Sequence, residues 1–219
     1  LSDDATFAFI ECNARIQVEH TVTEEITGLD LVAVQLRLAA GESLKSLDLA
    51  APPPVRGDAI QLRVNAERTD RDGLTLPTSG RIEVFTPATG KGIRVDGYAY
   101  SGYQTNPRFD SLLAKLIVHS PTAGFKGVCA KAAAVAAEFD VRGLETNLPL
   151  LRVALRDPIL ASNELHTGSF DECVTDWVKL ITTDDSASTS GHVGARVDAN
   201  DPLAVLDYGK AVEATQVPG

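Results

Sequence analysis

The residues best suited to chemistry lie near the start of the chain, in the run Phe9-Ile10-Glu11-Cys12-Asn13-Ala14-Arg15-Ile16-Gln17-Val18-Glu19-His20. Read as extended, the run places Glu11, Asn13, Arg15, Gln17 and Glu19 on one face, with Cys12, Ala14, Ile16 and Val18 on the other, because strand side chains alternate. A carboxylate and an amide oxygen two positions apart suit a hard cation such as Mg²⁺, which takes oxygen ligands and shares them with substrate phosphates. Arg15 presents a planar fork of donors to a small oxyanion. Glu19 is a candidate base for any substrate proton within hydrogen-bond reach. A second polar row, Gln61, Arg63, Asn65 and Glu67, alternates with Leu62, Val64 and Ala66. A solvated face of a half-exposed strand accounts for either row equally well, and for the second alone it is the commoner explanation. His20 reads as structural, holding the turn after Glu19. His119, His166 and His192 are scattered, with no pair at metal-ligand spacing.

The elements that must position these residues follow from the hydrophobic pattern. Segment 6–13 reads as a strand, the second arm of a hairpin entered through the turn at Leu1–Asp4. Helical pattern begins near Val22, and Asp30 is placed to cap a helix Leu31–Ala40 that stops at Gly41. Three consecutive prolines mark 51–57 as a connector. Four strands are expected at Ala59–Glu67, Arg81–Thr86, Gly92–Tyr98 and Ser111–His119, close enough for an antiparallel sheet. A helix from about Pro121 to Phe139 carries Phe125, Val128, Ala132, Val135 and Phe139 at helical spacing, and a second runs over about Leu148–Arg156 before Pro158. This order predicts an α+β fold. From about Thr182 the Asp, Ser, Thr, Gly and Ala composition reads as a linker, followed by a short apolar run at Leu203–Leu206.

Composition narrows the function classes. Twenty Lys and Arg against thirty Asp and Glu give a net charge of −10 and a pI near 4.8, the wrong sign for a nucleic-acid binder. No run approaches the roughly 18–20 apolar residues of a membrane span, and no signal peptide is visible, so the cytoplasm is the expected compartment. Cys12, Cys129 and Cys173 are widely spaced and in no CxxC pair, so three free thiols are expected. With no methionine anywhere, the chain is read as a piece of something longer or a processed product.

The segment FIECNARIQVEHTVTE, Phe9 to Glu24, closely resembles the biotin carboxylase signature FIEMNxRIQVEHxVTE, and it is followed, as in that family, by an ITGxDLV segment and an AAGE turn. Arg56 to Glu67 resembles the family's RGHAIExRINAE, Leu76 to Ile82 its LPSPGxI, Tyr103 to His119 its GYxVPxxYDSLxAKLIVxG, and Gly143 to Asn147 its GxxTN. Other ATP-grasp ligases share a Glu-x-Asn-x-Arg element but not the Ile-Gln-Val-Glu-His continuation. The resemblance implies the end of an ATP-grasp domain at 1–50, a biotin carboxylase C-terminal domain with an antiparallel sheet and packed helices at 51–181, and a linker with the start of a further module at 182–219.

The same resemblance implies a reaction and its residues. Bicarbonate attacks the γ-phosphate of ATP, carboxyphosphate decomposes to CO₂ and phosphate, and the enolate form of biotin captures the CO₂. Glu11 and Asn13 would ligate the Mg²⁺ or Mn²⁺ that accompanies ATP. Arg15, Gln17 and the Val18 backbone would hold bicarbonate, Glu19 would remove its proton, and Arg63 would stabilise the biotin enolate. Biotin would be a visiting, carrier-bound substrate, not attached to this chain. Partners implied are an N-terminal ATP-grasp half, a biotin carboxyl carrier domain, a carboxyltransferase module and a second copy in a homodimer or larger oligomer. Nucleic acid and membrane are not expected partners.

Departures from the family pattern are Cys12 for Met, Ala14 for Pro or Thr, Thr21 for Pro, Asp58 for His, Arg68 for Asp, and Arg108-Phe109-Asp110 for Tyr-Tyr-Asp, which loses one hydroxyl. The family's glycine-rich loop, its phosphate-binding lysines and an earlier metal-binding glutamate precede the matched segment, so the chain alone is expected not to turn over ATP. The stretch 201–208 resembles the one before the carrier domain of multidomain acyl-CoA carboxylases, which favours a longer protein with carboxylase, carrier and transferase modules fused, expected to act on an acyl-CoA such as acetyl-CoA although the choice of acceptor belongs to another domain. An organelle matrix replaces the cytoplasm if a transit peptide precedes residue 1. Two other readings remain: a dimerisation or docking module without catalysis, and an ATP-grasp ligase with another acceptor.

Overall fold

The structure, a computed structural model, describes residue 9 and residues 11–187. In order, the elements are α1 (His20–Thr27), α2 (Leu31–Ala39), β1 (Asp58–Asn65), β2 (Glu67–Thr69), β3 (Thr75–Pro77), β4 (Val84–Thr86), β5 (Ile93–Gly97), β6 (Leu112–Ser120), α3 (Gly124–Glu138), β7 (Asp140–Arg142), α4 (Leu148–Ala154), α5 (Pro158–Ser162) and α6 (Ser169–Ala187). They fall into two compact units, 1–55 and 56–219.

In the first unit the short connection between α1 and α2 is dictated residue by residue. Gly28, at φ +74°, turns the chain out of α1 while its N–H donates to the Glu24 carbonyl at 2.7 Å, a left-handed position that glycine adopts without steric cost. The Asp30 carboxylate then accepts the Ala33 N–H at 2.8 Å, capping α2, and the buried Glu24 accepts the Leu31 N–H at 2.8 Å. Two orphan donors of the new helix are satisfied by side chains one connector apart. Residues 9 and 11–13 hold no regular element, 14–15 form a bend and 18–19 a turn. The strand expected over 6–13 is therefore corrected for residues 9 and 11–13, which join no ladder, and the first polar row is broken by the bend at 14–15. This unit has no strand among the described residues, so an extended segment here finds no ladder to share its N–H and C=O groups.

The second unit is an α+β domain. Its main sheet has the order β1-β6-β5, antiparallel throughout, with Leu62 opposite Leu116 and Val95 opposite Leu116 on the other side. Central β6 is buried along most of its length, whereas one face of β1 alternates, Leu62 and Val64 inward against exposed Arg63. Leu62, Val64, Ala114, Leu116 and Val118 pack with Val128, Ala132, Val135, Ala136 and Phe139 of the α3 segment in one core. The helical spacing read from the sequence thus places α3 on one face of the sheet and leaves Arg63 on the other. The strand expected at 81–86 is shortened to β4, because successive amides change partner: the Ile82 N–H donates to Tyr103 and the Glu83 N–H to Arg142. β4 then pairs with β7, and β2 with β3. A second core of Leu150, Val174, Trp177 and Val178 ties α4 to α6, with the Trp177 indole donating to Asp157 at 2.7 Å. Helix α6 continues to Ala187, so the linker expected from Thr182 is corrected for 182–187; the readings at 188–219 lie outside the described residues. No helix among the described residues is long and apolar enough to cross a membrane.

Candidate active site

The signature residues of the first unit are gathered by a turn. The His20 N–H and its Nδ1 both donate to the Gln17 carbonyl, at 3.2 and 2.6 Å, and the Val22 N–H donates to the Glu19 carbonyl at 3.0 Å. His20 thus holds the turn around Glu19, the structural role expected of it. Glu19 is the N-cap of α1 but its carboxylate makes no capping hydrogen bond. Gln17 and Glu19 line one open groove with Ile16, His20, Thr23 and, from α2, Leu31, Val34 and Gln35. Val18 is half-buried between them. Arg15 is exposed at the preceding bend, its Nη1 donating to the Ile16 carbonyl at 3.2 Å, and is not among the groove's lining residues. Glu11 and Asn13 are exposed before that bend. Among the described residues no group of three or more His, Cys, Asp or Glu side chains forms a metal cluster.

Arg63 belongs to the second unit, on the sheet face away from α3. Its register partner on β6 is Lys115, 9% exposed, and the register partner of Lys115 on β5 is Asp96. The Lys115 ammonium lies 3.8 Å from Asp96, which Arg94 also grips through two hydrogen bonds of 2.8 and 2.7 Å. Arg63, Lys115, Asp96 and Arg94 thus share one face of the sheet. Beyond Arg63 the ladder shifts between Val64 and Asn65. The Asn65 amide donates to Glu67 at 3.1 Å, Ser111 donates to the same carboxylate, and Asn65 Oδ1 is buried without a hydrogen-bond partner.

Two features escaped the sequence reading. The β2–β3 hairpin is built on Asp70, whose carboxylate accepts the Asp72 and Leu74 N–H groups at 3.0 and 2.9 Å; the Asp70-Arg71-Asp72-Gly73 run was its signal. Asn147 makes hydrogen bonds to the backbone of Arg63 and Asn65, a contact across more than eighty residues with no local signal.

Comparison with known proteins gives the class first. Residues 1–47 match the ATP-binding domain of the carbamoyl-phosphate synthase L chain, and residues 61–172 match the biotin carboxylase C-terminal domain. The second match covers half of the sequence, and the chain belongs to the biotin carboxylase family. It is 44% identical over 168 residues to pyruvate carboxylase 1 of Caenorhabditis elegans, covering 76% of this chain and 14% of that protein. It is 42% identical over 185 residues to the biotin-dependent acyl-coenzyme A carboxylase alpha3 subunit of Mycobacterium leprae (strain TN), covering 83% and 29%. The solved biotin carboxylase domain dimer of Hydrogenobacter thermophilus 2-oxoglutarate carboxylase, in complex with MgADP, ADP and bicarbonate, is 34% identical at a TM-score of 0.71, covering 80% of this chain and 37% of that one. The chain spans less than a third of the length of the two curated relatives.

Proposed function

We propose that this chain forms the bicarbonate- and biotin-handling part of a biotin carboxylase, working in the ATP-dependent carboxylation of carrier-bound biotin. What chiefly supports the reading is that Gln17 and Glu19 of the signature share one groove, with the turn between them held by His20. Gln17, the Val18 backbone and Arg15 bind and orient bicarbonate, which raises the effective concentration of a weakly bound nucleophile. Glu19 takes the bicarbonate proton, a bicarbonate oxygen attacks the γ-phosphorus and ADP leaves. Carboxyphosphate then splits into CO₂ and phosphate. As the released phosphate takes the ureido N–H proton of biotin, Arg63 stabilises the enolate oxygen that forms, a fixed charge aimed where charge appears, and the ureido nitrogen bonds to the CO₂ carbon. Glu11 and Asn13 offer one carboxylate and one amide oxygen in exposed backbone, a donor set that fits a hard cation completing its shell with phosphate oxygens. They would hold Mg²⁺ or Mn²⁺, which when bound neutralises charge on the nucleotide phosphates.

The division at 1–50, 51–181 and 182–219, with α6 crossing the second boundary to Ala187, the inactivity of the chain alone, and its partnership with a nucleotide-binding half, a carrier domain, a carboxyltransferase and a second copy belong to the same proposal. So does location in the cytoplasm or an organelle matrix. An acyl-CoA such as acetyl-CoA is proposed as final acceptor, on the resemblance of 201–208 and the Mycobacterium leprae relative. The test uses the longer protein that carries the nucleotide-binding half. Arg63→Ala there should abolish most biotin carboxylation while sparing bicarbonate-dependent ATP cleavage; equal loss of both removes Arg63 from the enolate step.

A further inference from the structure

We infer that Asn147 is a positioning residue for Arg63: from the start of α4 it fixes the stretch of backbone from which the guanidinium grows, and through it the biotin half of the reaction. The inference rests on the proposed enolate role of Arg63.

β1 is an edge strand, paired with β6 on one side only. Within it, Leu62 and Val64 point into the α3-backed core while Arg63 stands exposed. The direction in which a side chain leaves its strand is set by the backbone beneath it, and an edge strand close to a register shift is where a backbone is least constrained. The shift falls between Val64 and Asn65, one residue beyond Arg63. Asn147, at the start of α4, closes this open edge with three hydrogen bonds. Its side-chain Nδ2 donates to the Arg63 carbonyl at 2.9 Å, its Oδ1 accepts the Asn65 N–H at 2.9 Å, and its own N–H donates to the Asn65 carbonyl at 3.1 Å. One amide side chain thus imitates a neighbouring strand over Arg63 and Asn65, on the two sides of the shift. Only a side chain with a donor and an acceptor in one plane does both. The turn that carries Asn147 is itself anchored, since the Thr78 hydroxyl donates to the Glu145 carbonyl at 2.6 Å. The Arg63 backbone is therefore held between β6 and a fixed loop.

The test measures, in the longer protein, carboxybiotin formed per ADP released in the presence of bicarbonate and free biotin, for Asn147→Ala, Asn147→Asp and Arg63→Ala. Asn147→Asp keeps an acceptor for the Asn65 N–H but sets an oxygen against the Arg63 carbonyl. Both Asn147 variants should lower the carboxybiotin-to-ADP ratio by about tenfold, the scale of a misplacement below 1 Å, while bicarbonate-dependent ADP release per folded molecule stays within about twofold of wild type. A role confined to stability would lower both products together in proportion to the folded fraction and leave the ratio untouched; that outcome overturns the inference. If Arg63→Ala lowers the ratio and the Asn147 variants do not, the positioning role fails and the enolate role stands. If Arg63→Ala leaves the ratio unchanged, both fall.

Discussion

Helix α3, which backs the sheet that carries Arg63, ends on carbonyls captured by a single side chain, and that capture can be priced. Arg152 of α4 donates through Nε to the Ala136 carbonyl at 2.9 Å and through Nη2 to the Phe139 carbonyl at 2.8 Å. Hydrogen bonds from a charged donor contribute about 1.5–3 kcal/mol each. Arg152 is only half-buried, so the low end applies to both bonds, and Arg152→Met, which keeps the apolar stem, should cost about 3 kcal/mol. With a urea dependence of about 2 kcal/mol per molar, the midpoint falls by about 1.5 M. Arg152→Lys should recover about half of this, because a compact ammonium does not span two carbonyls as a planar fork does. Fluorescence of Trp177, the one tryptophan, reads the transition from inside the second core. A midpoint for Arg152→Met within about 0.3 M of wild type, or full recovery with lysine, would refute the reasoning.

A close backbone approach makes a second prediction. At Gly57, φ +70°, an added Cβ meets the Ser120 carbonyl and lies 2.5 Å from the Pro121 Cα, whereas at Gly124, φ +68°, it meets nothing within 4 Å. Gly124→Ala should cost only the left-handed strain of about 1 kcal/mol and Gly57→Ala about 3 kcal/mol or more; equal melting temperatures for the two variants would contradict the account. The Cys129 thiol, fully buried in α3, is pushed up by burial. The folded state therefore holds its proton after the unfolded state has lost it, so the stability is complete below the ordinary thiol range and falls as pH rises through it. In urea titrations across alkaline pH, Cys129→Ala should flatten that decline; an unchanged slope would show that the thiol does not carry it.

Legibility from sequence followed the locality of the signal. Helix α2 was readable because Asp30 and Gly41 stand at its two ends, and Gly41 does adopt φ +97°. Helix α3 was readable from one apolar stripe. The run before Glu19 joins no ladder because alternation of side chains does not supply a pairing partner, and a turn gathers Gln17 and Glu19 on one side just as an extended chain would. Residues 182–187 looked like linker by composition. They extend a helix seeded by Cys173, Val174, Trp177, Val178 and Ile181, an apolar face at helical spacing that outweighs the Asp and Ser that follow. Three-residue strands such as β2, β3 and β7 are too short to show a period. The proposed site rests on the family signature, since Glu11, Arg15 and Glu19 in a row specify no chemistry by themselves. The clamp of Asn147 on β1 was invisible, because it joins positions 82 and 84 apart.

The central claim is tested most directly by ADP release from the longer protein, measured with and without bicarbonate and free biotin, in wild type and Glu19→Gln. The account predicts release that requires bicarbonate, rises with biotin and falls by about a hundredfold or more in Glu19→Gln, the range of a lost general base. Release indifferent to bicarbonate and biotin would contradict it in favour of an ATP-grasp ligase with another acceptor, and no release at all would leave a docking module.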